Sequence, residues 1–126
     1  NNFLKTILRL AGEREDLKVI FDQVGSPTYA ADLAKAIITI INSNNWHTGI
    51  YHYSNEGVTS WYDFAQAIIE FSKLPTKIIP CRTEEYPSKA KRPYYSVLDK
   101  TKIKQQYGIE VPHWRNSLDE CIKLIC

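Results

Sequence analysis

Three short runs of β-forming residues, Lys18–Phe21, Ile50–Ser54 and Thr76–Cys81, lie far apart in this chain, and an amphipathic helix pattern separates each from the next. Short strands alternating with helices give an α/β or α+β class. About three strands make a small sheet for a self-sufficient fold, so the pattern fits a lobe that adds to a larger sheet elsewhere.

The helical segments carry their own punctuation. "NNFLKTILRLAG" sets Phe3, Ile7 and Leu10, with Leu4, Leu8 and Ala11, at helical spacing between an Asn cap and Gly12. Thr28 is the expected cap of a second helix running to about Asn42, with Leu33, Ile37, Ile38 and Ile41 as its apolar stripe and Asp32 in its first turn. Ser60 and Asp63 stand at capping-box spacing ahead of Trp61, Phe64, Ala65 and Ile68. Asp99 is expected to cap a short helix that stops at Gly108. A last helix starts around Pro112 and carries Trp114, Leu118, Cys121, Ile122 and Ile125 on one face.

Composition bounds the function classes. With 126 residues and 44% hydrophobic content, the chain suits one compact domain. Sixteen Lys and Arg against 14 Asp and Glu leave a net charge of +2, which argues for neither nucleic acid nor membrane as a partner. No apolar run approaches the roughly 18 to 20 residues of a membrane span, and no secretory signal pattern is present. Three cysteines without close pairing read as reduced thiols of a cytosolic protein, not as a disulfide framework or a zinc site. The sequence has no Met and opens inside a helix pattern, so it reads as an excised segment that lacks everything upstream.

Residues able to do chemistry are few. There is no GxGxxG and no GxxxxGK[ST] to cradle a nucleotide phosphate. His47, His52 and His113 sit in unrelated contexts, and no His-x-x-x-His spacing supports a metal. No local signature recommends a Cys–His nucleophile pair. Binding chemistry remains. The long stretch "RTEEYPSKAKRPYYSVL" contains Arg92 in front of a stiff proline, a donor fork suited to bidentate contact with phosphate or carboxylate. The competing reading is a solvated basic loop, and Lys89 and Lys91 are read as solvent-facing. In "DQVGSPTYAADLAKAI", strand ending, turn and cap account for Asp22, Gly25, Pro27 and Thr28. They do not account for Gln23. A strand's carboxyl end feeding a helix N-terminus is a common ligand position in α/β proteins, so Gln23, Ser26 and Thr28 are candidates to line a polar pocket with Arg92.

At these residues the chain resembles a family. "DQVGSPTYAADLA", "GIYHYSNEGVTSWYDFAQAI" and "KRPYYSVLDKTKI" are similar to the C-terminal motifs of dTDP-4-dehydrorhamnose reductases, which are extended short-chain dehydrogenases. The opening "NNFLKTILRL" and closing "WRNSLDECI" extend the likeness over essentially the whole chain. The resemblance implies an α/β fold, the C-terminal lobe of a Rossmann-type enzyme, mostly helices with a few short strands. Residues 1–126 would form its single substrate-binding domain, and the N-terminal cofactor-binding Rossmann domain would be absent. It implies a bacterial cytoplasmic enzyme that uses NADPH or NADH to reduce the 4-keto group of dTDP-6-deoxy-L-lyxo-4-hexulose.

The family's glycine-rich loop and Tyr-x-x-x-Lys pair are not in this sequence. No catalytic, cofactor-binding or metal residue is therefore expected in the chain, and the chain alone is expected to bind no cofactor and to be inactive. Carried over, Gln23 to Thr28 would line the sugar-nucleotide cleft and Arg92 would meet the diphosphate. Asp32 reads as a helix-start residue and Trp61 as core or interlobe packing ahead of sugar stacking. The partners implied are a dTDP-sugar and the Rossmann domain, with no nucleic acid and no membrane; a homodimer stays open. Two alternatives share the fold. One is a nucleotide-sugar epimerase or dehydratase, although "DQVGSPT" stands where those enzymes usually show an "RDYIHV"-like stretch. The other is a non-catalytic regulatory subunit like the β subunit of methionine adenosyltransferase.

Overall fold

The computed structural model describes residues 2–86 and 90–125, so Lys89 and Cys126 lie outside the described residues. Helix α1 (Phe3–Ala11) starts where the Asn2 side chain accepts the amide of Lys5 at 2.9 Å, and it buries Leu4, Ile7 and Ala11. Strands β1 (Asp16–Ile20) and β4 (Lys77–Cys81) pair in parallel, with Asp16 opposite Lys77 and Ile20 opposite Cys81. Alternation decides which face of β1 is inside: Leu17 and Val19 are buried, Asp16 and Lys18 exposed.

Helix α3 (Trp61–Ser72) is the centre of the lobe. Ser60 caps it as the sequence spacing predicts, accepting the Asp63 amide at 3.0 Å and donating to the Asp63 carboxylate at 2.6 Å. Its buried stripe of Ala65, Ile68 and Ile69 packs against α1, β1 and β4 on one side, and against α5 (Trp114–Ile125) on the other. Fully burying a side chain such as Ile68 is worth about 1.5–3 kcal/mol, and residues of this kind make the main core. A second, smaller core joins Ala36, Ile103 and Ile109 and lies between α2 (Ala30–Asn42) and α4 (Thr101–Tyr107).

Several local expectations are corrected. Thr28 does not cap α2. The helix begins after Tyr29, whose amide is taken by the Asn55 side chain at 2.7 Å, a residue from another segment. Asp99 does accept the Thr101 amide, at 2.8 Å, but α4 starts after Lys100. Two strands were not read from the sequence, β2 (Val24–Gly25) and β3 (Thr59–Ser60), which pair antiparallel; two residues are too few to show a period. The stretch Ile50–Ser54 alternates exposed and covered residues as a strand does. Among the described residues, however, no backbone hydrogen bond links Ile50–Tyr53 to a neighbouring strand.

The apolar stripe expected on α2 is largely uncovered. Ile37 and Ile41 are 48% and 53% exposed, because the helix rests on the small core through Ala36 and Ile40 instead. The observed class matches the expectation: a helix-rich α/β lobe with a few short strands. Among the described residues, no helix is long and apolar enough to cross a membrane.

Candidate functional site

The segment between β1 and α2 is polar because it anchors a second, distant segment. The Asp22 carboxylate accepts both the amide and the hydroxyl of Thr83, at 3.0 and 2.7 Å, and the Gln23 amide donates to the same hydroxyl at 3.2 Å. Those bonds, the Thr83 hydroxyl first, hold the Asp22 carboxyl below its ordinary value. The long loop after β4 is thus tied down at its start, where residues 83–85 form a 3-10 turn.

Its far end is tied to the same place. The Val24 amide donates to Tyr94 O at 2.8 Å, and the Ser96 amide donates to Val24 O at 2.9 Å. Val24 therefore carries β3 on one side and the 94–96 strap on the other. Gly25 permits this approach, since a Cβ there would stand 2.7 Å from the Ser96 hydroxyl oxygen. From below, the Ser26 hydroxyl donates to Gly57 O at 2.6 Å and pins the turn to the loop before β3.

The result is a cavity of about 260 Å³ whose walls include Gln23, Ser26, Thr59, Ser60, Trp61 and Arg92. Among the described residues Arg92 is its only charged lining residue, and it is exposed with no ion pair or hydrogen bond from its guanidinium. A larger groove of about 690 Å³ runs on from it between α1 and β1, sharing Gln23, Trp61 and Arg92. An unpaired cation among amide, hydroxyl and aromatic groups, with no carboxylate in the inner wall, is suited to bind an anion.

Of the four sequence candidates, the structure brings Gln23, Ser26 and Arg92 to one cavity and leaves Thr28 out. Thr28 is exposed and lines a neighbouring hollow with Tyr29 and Trp114, which shares Pro27, Trp61 and Phe64 with the cavity. Gln23 is buried, at 5% exposure, and holds Thr83 as well as facing the cavity. Lys91 is exposed, as read. Asp32 is more than a helix-start residue. It accepts from Asn55 and from Ser117, both at 2.6 Å, and so ties α2 to α5. Trp61 is not a core residue, being 40% exposed and facing the cavity. Its place directly after the capping Ser60 was the available signal, because a helix's first residue stands at the rim of the layer it enters. Thr59 and Ser96 gave no signal.

Among the described residues, no group of three or more His, Cys, Asp or Glu side chains could hold a metal. Burial pushes the Cys81 thiol above its ordinary range, the opposite of what a nucleophile needs.

Comparison with known proteins gives a consistent result. The sequence profile of the RmlD substrate binding domain matches residues 1–126. The chain is 47% identical over 123 residues to the spore coat polysaccharide biosynthesis protein SpsK of Bacillus subtilis, covering 98% of this chain and 42% of the relative. It superposes on a dTDP-4-dehydrorhamnose reductase from Clostridium acetobutylicum with a TM-score of 0.93 and 42% identity, over 99% of this chain and 44% of that one. The reductase of Bacillus anthracis, solved in complex with NADP, gives a TM-score of 0.86 and 38% identity, over 95% and 41%. The chain thus spans less than half the length of these relatives.

Proposed function

The chain belongs to the RmlD substrate binding domain family, and from that premise we propose that it is the substrate-binding C-terminal portion of a dTDP-4-dehydrorhamnose reductase. In this reading the whole enzyme reduces dTDP-6-deoxy-L-lyxo-4-hexulose to dTDP-L-rhamnose with NADPH or NADH in the cytoplasm. This chain seats the dTDP-sugar. The single observation that carries the assignment is the cavity of Gln23, Ser26 and Arg92, which offers one unpaired guanidinium and no carboxylate. Arg92 meets the diphosphate as a fork, while Gln23 and Ser26 line the wall beside it. Holding the remote nucleotide fixes the reacting carbon, so binding energy far from the chemistry is used to position it.

The residues present do not fit a nicotinamide dinucleotide. Of the two helices that start nearest the cavity, α3 has a first-turn amide taken by Ser60, the amide of Tyr29 just ahead of α2 is taken by Asn55, and neither helix follows a glycine-rich turn. The hydride and proton chemistry therefore belongs to the Rossmann domain, the partner in this proposal. The uncovered flank of α2 supports such a partner. A helix is about 10 Å across and strands lie about 4.8 Å apart, so a helix laid on a sheet spans about two strands. Within this chain α2 packs on Tyr51 and Tyr53 in the small core, and Ile37 and Ile41 are left exposed for such a sheet to cover.

Titration of the chain with dTDP, followed by amide shifts, tests the assignment. Shifts are expected around Gln23, Ser26 and Arg92, and Arg92→Ala should weaken binding about 10- to 150-fold, the worth of a hydrogen-bonded charge. Binding that ignores the Arg92 substitution would overturn it. NADPH turnover by the chain alone would overturn the placement of the chemistry elsewhere.

A further inference from the structure

Trp61 occupies a position that neither packing within this chain nor the anion contact explains. It is the first residue of α3, and a first-turn residue can turn its ring inward, as the stripe of Phe64, Ala65 and Ile68 does. Instead the indole is 40% exposed and forms a wall common to the inner cavity and the outer groove. The ring is held in place by a chain of aromatic contacts that reaches the core. Its centroid is 4.7 Å from that of Phe3, Phe3 stacks on Phe64 at 5.7 Å, and Phe64 meets the edge of the buried Trp114 at 5.8 Å. No hydrogen bond fixes the indole by its nitrogen among the described residues, so packing sets its plane, with Phe3 as its aromatic neighbour. A flat apolar surface buttressed in this way and left open beside a lone guanidinium is pre-organised for a ligand that carries both an anion and a ring.

We propose that Trp61 is a stacking platform that makes the cavity select phosphorylated ligands bearing a ring over bare phosphate or diphosphate. It is a specificity-determining residue for the binding role proposed above, and rests on that reading for the anion at Arg92. The shared chemistry is a flat or C–H-rich ring face next to a diphosphate. Two sources supply it, the pyrimidine base on one side of the diphosphate and the hexose on the other. Arg92 supplies affinity for any polyphosphate; Trp61 adds the part that depends on what the phosphate is attached to.

The test is a set of titrations of the chain with inorganic pyrophosphate, dTDP and dTDP-L-rhamnose, for the unchanged protein and for Trp61→Ala, Trp61→Leu and Trp61→Phe. Loss of the platform is expected to weaken a ring-bearing ligand about tenfold or more, and to leave pyrophosphate unchanged. Phe should retain most of the binding and Leu should not, since Leu keeps apolar volume without a π face. A loss already present with dTDP assigns the platform to the base, and a loss confined to dTDP-L-rhamnose assigns it to the hexose. Equal losses for pyrophosphate and dTDP would mean a merely structural residue and overturn the proposal. So would a Trp61→Leu protein that binds all three ligands as before, which serves as the deciding variant if Trp61→Ala does not fold. Pyrophosphate binding that depends on Arg92 while every Trp61 variant binds normally would sink the platform and leave the anion site standing.

Discussion

Two glycines with positive φ, one crowded and one open, allow the packing around the site to be weighed. Gly57 has φ +88, and an added Cβ would lie 2.8 Å from both Cδ2 of His113 and Cδ1 of Trp114, and closer still to the His113 Nε2. Gly108, the left-handed cap of α4, has φ +62 with nothing within 4 Å. Alanine at either position meets the backbone cost of a left-handed residue, about 1–2 kcal/mol. It also gains at both from the stiffened unfolded chain. These shared contributions cancel in the difference, which leaves the overpacking at Gly57, about 1–3 kcal/mol. For 126 residues, an unfolding entropy near 2.1 cal/mol/K per residue makes 1 kcal/mol worth about 4 °C. Gly57→Ala should therefore melt about 4–12 °C below Gly108→Ala in a reversible thermal scan. His113→Ala in the Gly57→Ala background should recover part of that gap by removing the nearest atoms. If both alanine variants melt within about 2 °C of each other, roughly 0.5 kcal/mol, the tight seat of the 55–57 loop on α5 is wrong, and with it the support beneath Ser26.

Two further outcomes are expected. Because its bonds to Thr83 lower the Asp22 carboxyl, the contribution of this contact is complete above the ordinary carboxylate pKa. It is lost as pH falls through the lower folded value. The Thr83 amide shift should titrate with a midpoint below 3.8, and the Asp22→Asn protein should lack that step; a midpoint at or above 3.8 would remove the anchor. The double variant Ile37→Asp/Ile41→Asp should lower the melting temperature of this chain by no more than about 4 °C, because surface changes away from packed features cost about 0.5 kcal/mol or less each. A substantial drop would show that those side chains are packed within the chain and are not a bare flank.

Local chemistry was legible in the sequence where a residue's partner lies within one helical turn. Asn2 and Ser60 cap as their spacing says, while the Asp63 carboxylate accepts the Ser60 hydroxyl instead of its backbone amide. Reading failed where the partner comes from afar. Thr28 has the right chemistry for a cap, yet the Tyr29 amide is claimed by Asn55, 26 residues on. Ile50–Ser54 has the alternation of a strand, but a ladder needs a second strand and none among the described residues pairs with it. The convergence of Gln23, Ser26 and Arg92 was drawn from loop chemistry and family likeness. Its physical cause, the double pairing of Val24 and the missing side chain at Gly25, sits in two residues that carry no pattern. Trp61 is not in the core of this chain, since helical periodicity reports which face a residue shares and not whether that end of the helix is covered.

The remote closure of α2 also sets an order of events during folding. Asn55 accepts the amide of Tyr29 at the N-cap of α2, and the Asn55 side-chain amide donates in turn to Asp32, Pro112 and Ser117, the last pair 62 positions apart. Helix propensity alone can start α2 within microseconds, but its N-terminus stays frayed until α5 arrives, and closing loops of that length slows a chain's acquisition of its final state. On a translating ribosome the N-terminus of α2 would therefore be among the last parts to settle, its Asn55 partner fully satisfied only once Ser117 has emerged.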